Sequence, residues 1–294
     1  MLARRRMQRV GFLMILPLLV ILLGLTMYPF GYMVYMSFFR YSLASWEKPQ
    51  FIGFSNYRDI LRDRTAISSI DFTVLLLAVA VPLEILLGMA IAFLLRDTFG
   101  ERVFRSALLI PMMVPAVVAG IAWKMLYNFE FGPVNYFLSL LGIPKISWLG
   151  TQFFSRLGVI LIDVWQWTPF VFLVLYAGLQ SLPRDIVEAS FVDGASGFSA
   201  FRYIEFPLLR PLLFVVLIIR VIDALKIFDI VYMVTFGGPG SSTHSYSFYI
   251  YKVGVSFGWD IGYASALSVL LLIAVMLLVN LLIRGLRLKE TLEL

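Results

Sequence analysis

Residues 10–39 read VGFLMILPLLVILLGLTMYPFGYMVYMSFF, thirty positions without one charged side chain. A helix crosses the hydrocarbon core of a bilayer with about 20 apolar residues. The run is too long for the roughly 7–15 apolar residues of a signal peptide, and no small-residue cleavage site follows it. It predicts a retained first span near 10–36. Five more apolar stretches predict spans near 72–95, 105–128, 157–180, 207–231 and 262–284. The expected fold class is therefore an all-α polytopic membrane protein with six transmembrane helices. The whole chain agrees: 61% of its 294 residues are apolar, 14% are charged and the mean hydropathy is +0.90. A soluble domain of this size cannot hide that much apolar surface, and disorder requires the opposite balance.

Six spans place both termini on one side, and the basic residues say which. Thirteen Lys and Arg fall in about 60 residues on the side of the termini, among them Arg4, Arg5, Arg96, Arg102, Arg184 and Arg202. Eight fall in about 89 residues on the other. The denser side is cytoplasmic, so both termini and the segment 181–206 face the cytoplasm of a cell-membrane protein. The net charge of +6 is then an orientation signal rather than a nucleic-acid footprint. The chain divides into a first span with its outer loop (1–70), a five-span block (71–284) and a short cytoplasmic tail (285–294). Cysteine is absent and His244 is the single histidine. Thiolate and imidazole-rich metal sites and Cys nucleophiles are excluded, and no metal ligands are expected. His244 itself reads as a solvated loop residue.

The cytoplasmic loop reads Ser181-Leu182-Pro183-Arg184-Asp185-Ile186-Val187-Glu188-Ala189-Ser190-Phe191-Val192-Asp193-Gly194-Ala195. Proline near the first turn and Asp185 within it are helix-start signals, and Gly194 is a stop signal. A helix of about ten residues lies between them, too short and too polar to span. Ala189 and Ser190 beside Glu188 form a patch of small residues that would admit another protein closely. The bland alternative is an interfacial helix lying on the headgroups.

This loop resembles the "EAA" loop of permease subunits in binding-protein-dependent ABC importers. The matching residues are Glu188-Ala189-Ser190, Asp193-Gly194-Ala195, Phe201, Ile204, Pro207 and Pro211. Ser190 departs from the second alanine of the pattern, small for small. Phe228-Asp229 with Thr235-Phe236-Gly237-Gly238-Pro239-Gly240, Gly262-Tyr263-Ala264-Ser265-Ala266-Leu267-Ser268, and Gly53-Phe54-Ser55-Asn56-Tyr57 resemble segments of carbohydrate-type members, similar to maltose or glycerol-phosphate permeases. The resemblance implies a type I importer permease fold, with Glu188, Ala189, Ser190, Asp193, Gly194, Ala195 and Pro207 coupling the chain to an ATPase. It also implies a second permease, two ABC ATPase subunits, an extracytoplasmic solute-binding protein and a sugar substrate. The chain has no phosphate-binding loop of the form GxxxxGK[ST], so ATP and Mg2+ are expected on the separate ATPase and no cofactor on this chain, which is then not an enzyme.

Ionisable residues within spans are functional candidates by default. Arg220, Asp223, Lys226 and Asp229 follow one another at i,i+3 and could neutralise one another along one helix, or line the translocation path and bind polyol hydroxyls. Glu84 calls for a partner within its span. Trp165, Gln166 and Trp167, beside Asp163, suit sugar recognition by stacking and hydrogen bonding, and ordinary packing explains them as well. An ion-coupled secondary transporter is the competing class, but such folds show repeated halves and no repeat is evident. An intramembrane enzyme has little material beyond a Ser–Lys pair at Lys124 or Lys226.

Overall fold

The computed structural model describes residues 2–45, 47–96, 98–256 and 258–292, with side chains left undescribed at 2–11, 13, 184 and 286–292. The chain is helical almost throughout. Helix α1 covers Leu2–Met36, α2 Ser55–Ile60, α3 Arg64–Leu95, α4 Glu101–Leu108, α5 Ile110–Met113, α6 Ala116–Leu126, α7 Pro133–Leu140 and α8 Gln152–Gln180. Then come α9 Arg184–Val192, α10 Gly197–Ala200, a π-helical turn Phe201–Glu205, α11 Phe206–Leu225, α12 Asp229–Val234, α13 Tyr246–Tyr251, a second π-helical turn Lys252–Ser256 and α14 Ile261–Leu292. Two-residue strands β1 (Phe39–Arg40) and β2 (Gln50–Phe51) pair antiparallel in the first loop.

Four stretches are long and apolar enough to cross a membrane: Met14–Met36, Arg64–Leu95, Gln152–Ser181 and Ile261–Gly285. The expected third span is not one rod. It runs Glu101–Met113, breaks, and resumes as Ala116–Leu126 at 95°. Pro115 stands at the break, where it has no N–H to continue the ladder. The side-chain amide of Gln166 donates to the Val114 carbonyl at 3.0 Å, as backbone freed inside a membrane requires. The expected fifth span also stops early. Helix α11 ends at Leu225, and its twenty residues give about 30 Å at 1.5 Å per residue. The chain turns through Lys226–Phe228 before α12, and the Ser245 hydroxyl donates to the Ile227 carbonyl at 2.6 Å in place of a helical N–H.

The residues pack as two units, Met1–Asp63 with Ile250–Ile273, and Arg64–Tyr249 with Ala274–Leu294. In the first, the Asn56 side-chain amide donates to the carbonyls of Ser37 (2.9 Å) and Phe39 (3.0 Å), and the Tyr57 hydroxyl donates to Ser37 Oγ at 2.7 Å. Tyr263 donates to Asp63 at 2.9 Å. The most apolar 18-residue stretch of the Met14–Met36 span has no buried residue, although Met36 at its end is buried. Its exposed Leu, Ile and Tyr side chains are left to lipid or to another subunit.

In the second unit α3 and α8 are the central pair. Phe72, Leu76, Val159, Ile162, Phe172 and Leu175 are fully buried there. The two helices pack tightly at Gly88, where a Cβ would sit 2.7 Å from Val171 Cγ1, 2.8 Å from Val171 Cβ and 2.9 Å from the Phe172 nitrogen. Gly88→Val should therefore cost about 2–3 kcal/mol, since the Val171 Cβ and the Phe172 backbone nitrogen cannot rotate away. Gly24→Val, which meets nothing within 4 Å, is the control. Detergent-extracted thermal unfolding of the two variants checks this.

Candidate functional site

Helix α9 is nine residues long and starts after Pro183 with Asp185 in its first turn. Its end is a Schellman motif: Gly194 N–H donates to Phe191 O at 3.1 Å and Ala195 N–H to Ser190 O at 2.9 Å. Gly194 sits at φ +86 with open space around it, so conformation and not crowding selects glycine. Glu188, Ala189, Asp193 and Gly194 are exposed, and Ala195 and Pro207 half-buried. Ser190 corrects the sequence reading. It is buried, its hydroxyl donates to the Val187 carbonyl at 2.6 Å, and it lies off the outer face. That face is instead apolar at its end, with Val192 87% and Phe198 68% exposed. On the inner side, a cavity of about 540 Å³ is lined by Val187, Glu188 and Phe191 of α9, Leu179 and Gln180 of α8, and Arg96 at the end of α3.

The charges within the spans are arranged across helices, not along one. Arg220 of α11 is wholly buried. Its Nε is 2.5 Å from Glu84 Oε2 and its Nη2 2.9 Å from Glu84 Oε1, a two-point grip on α3. The same Nη2 donates to Asp163 Oδ2 on α8 at 2.9 Å. The guanidinium carbon lies 4.7 Å from the centre of the Trp167 ring, a cation–π contact. Three helices, α3, α8 and α11, are thus bolted together by one arginine.

A family profile described as "Binding-protein-dependent transport system inner membrane component" matches residues 84–288. The chain belongs to this family. It is 41% identical over 275 residues to the trehalose/maltose transport system permease protein MalF of Thermococcus litoralis, covering 92% of this chain and 91% of that one. It is 37% identical over 279 residues to the sulfoquinovosyl glycerol transport system permease protein SmoG of Agrobacterium fabrum, with coverages of 95% and 90%. Among solved structures, a chain of a bacterial alginate ABC transporter in complex with an alginate pentasaccharide-bound periplasmic protein superposes with a TM-score of 0.84 over 95% of this chain and 94% of that one. Its identity of 19% speaks to the fold alone. The protein is an importer permease of the inner membrane, a transport subunit and not an enzyme.

The permease's other candidates separate by burial. Gln166 is 4% exposed and tied to Val114, Arg220 is wholly buried, and Trp167, half-buried, joins Arg220 in the three-helix clamp. The i,i+3 ladder does not form as one unit. Its surviving contact joins Lys226 to Asp223 at 3.7 Å, both partly solvated. Lys226 and Asp229 are exposed and Asp223 half-buried, at the break between α11 and α12. Trp165 is 36% exposed and edge-on to Trp123 at 5.4 Å. His244 corrects another expectation. It is 1% exposed and stacked near Tyr249 and Phe248. The reason is a folded-in loop: Thr243 Oγ1 lies 2.8 Å from the Gly238 carbonyl and from Thr235 Oγ1, and Arg156 Nε donates to the Ser242 carbonyl at 2.8 Å. Glu205 was missed by the sequence reading; it is fully buried and paired with Arg96. The available signal was an acidic residue only two positions before Pro207, inside the re-entry turn.

Proposed function

We propose that this chain is the membrane-spanning permease subunit of an ATP-driven importer that moves a sugar or related polyol into the cell by alternating access. The observation that carries the reading is α9: a short, exposed, glycine-terminated helix set between two longer helices, ending in exposed Val192 and followed in α10 by exposed Phe198. Such a surface is suited to a partner, and the density of Arg and Lys on its side makes that partner cytoplasmic. One of two ABC ATPases carrying ATP and Mg2+ docks there through Glu188, Ala189, Asp193, Gly194 and Ala195, and the other docks on the second permease. Ser190 serves from within by holding the end of α9, and Pro207 by starting the next span. Closure of the ATPases then moves α9 as a rigid lever against α11.

A second permease completes the path, and an extracytoplasmic binding protein delivers the solute. Relatives named for trehalose, maltose and sulfoquinovosyl glycerol support a sugar or sugar derivative. Trp165, Asp223, Lys226 and Asp229 are the candidates still open to solvent that would meet it, an aromatic face with hydrogen-bonding charges. Purification through a tag on this chain should recover ATPase subunits, and vesicles holding the complex should take up labelled trehalose or maltose only with internal ATP and external binding protein. A chain that purifies alone and drives uptake sensitive to ionophores would overturn the reading in favour of ion coupling.

A further inference from the structure

The carboxylate of Glu205 has no exposure to solvent, and among the described residues its Oε2 has no hydrogen-bond partner. Its Oε1 is held by Nη1 of Arg96. Glu205 closes the π-helical turn Phe201–Glu205, in which the N–H of Phe206 reaches back to the Phe201 carbonyl. That turn is the hinge piece between the α9–α10 segment and α11. Single π turns in helical runs are local irregularities that recur at functional positions. Arg96 stands at the opposite side of the junction. Its guanidinium lies 5.7 Å from the Phe93 ring centre, Phe93 packs on Phe201 at 4.7 Å, and the same arginine lines the cavity under Glu188, Val187 and Phe191. One side chain therefore touches the end of α3, the turn that re-enters the membrane and the space beneath α9.

We propose that Arg96 is a positioning residue for the docking helix: by holding the buried Glu205 carboxylate it fastens the re-entry turn to α3 and so sets the pose of α9. The inference rests on the reading of α9 as the ATPase docking site. The physics gives it a signature that a generic surface pair lacks. Removing the cation strands an anion with no exposure, which is costly, whereas removing the anion leaves a cation already 22% exposed, whose long stem carries its charge to water. The two single substitutions should be unequal, and the second should relieve the first.

The test uses the whole complex purified through this chain, with Arg96→Gln, Glu205→Gln and the two combined. This chain has no cysteine, so Ile186→Cys, at a position 45% exposed and outside the docking residues, carries one spin label on the full-length permease labelled before the ATPase is added, and reports how firmly α9 is held without the ATPase. Arg96→Gln should lower ATPase recovered per permease by about tenfold and free the label. Glu205→Gln should lower recovery by about twofold with a smaller gain in label motion, and the double variant should return to within about threefold of the parent. Parental recovery and label motion in Arg96→Gln, or a double variant no better than that single one, overturns the proposal. Should Arg96→Gln fail to accumulate, Glu205→Gln decides: a label as immobile as in the parent refutes the fastening. Loss of ATPase from the parent complex itself would instead refute the docking reading, while the label would still report whether Arg96 holds α9.

Discussion

Arg220→Met should be among the most damaging single substitutions in this permease, costing about 3–5 kcal/mol. It leaves Glu84 and Asp163, both buried, without the cation that now lies within 2.9 Å of each. It also removes the contact between α11 and the Trp167 face of α8. Arg220→Lys should fall short as well, because an ammonium cannot grip Glu84 at two points. Glu84→Gln should cost more than Asp163→Asn, since Glu84 receives two of the three hydrogen bonds. Combining Arg220→Met with Glu84→Gln and Asp163→Asn should recover much of the loss. Asp223→Ala should stay within about 0.5 kcal/mol, because its partner Lys226 is 3.7 Å away and more than half exposed. Thermal unfolding in detergent orders these variants. Simple additivity across Arg220, Glu84 and Asp163 would show that the three do not act as a unit.

Gly194→Val should abolish transport while leaving the membrane spans intact. At φ +86 an L-residue meets its own backbone, at a cost of about 1–2 kcal/mol, and a β-branched one is worse placed than alanine. The cheapest relief is to give up the two hydrogen bonds that close α9, from Gly194 to Phe191 and from Ala195 to Ser190. The docking helix then frays at its exposed apolar end. Uptake should drop by about tenfold or more, the factor that ~1.4 kcal/mol of lost docking free energy gives. ATPase recovery should fall with it and the amount of inserted permease should not. Glu188→Lys should act alike by reversing the charge next to Ala189, whereas Gly197→Ala, in open space without a positive φ, should be silent. Parental uptake and ATPase recovery in both Gly194→Val and Glu188→Lys would return α9 to the role of a helix resting on the headgroups.

The sequence alone determined that the chain is a helical membrane protein, that a short helix too polar to span lies within residues 181–195, and that Gly194 ends it. These are local matters: uninterrupted apolar length, basic residues at span ends, and one residue type that tolerates a left-handed backbone. Glu84 was legible as a carboxylate in need of a partner, but not the partner's identity. Arg220 sits at i,i+3 from Asp223, and sequence spacing favours that neighbour. The fold instead brings Glu84 and Asp163 to it from two other helices, because a cation with no access to water takes the anions that are buried with it. The same distinction separates the remaining surprises. Gln166 looked like a sugar ligand until the break at Pro115 gave its amide a carbonyl to satisfy. Ser190 looked like part of a docking face until helix phase turned it inward. His244 and Glu205 are buried by segments far away in sequence, or by a π turn that no periodicity announces. Only tertiary structure could decide these, since the partner that satisfies a buried polar group is chosen by proximity in space and leaves no mark at a fixed spacing along the chain.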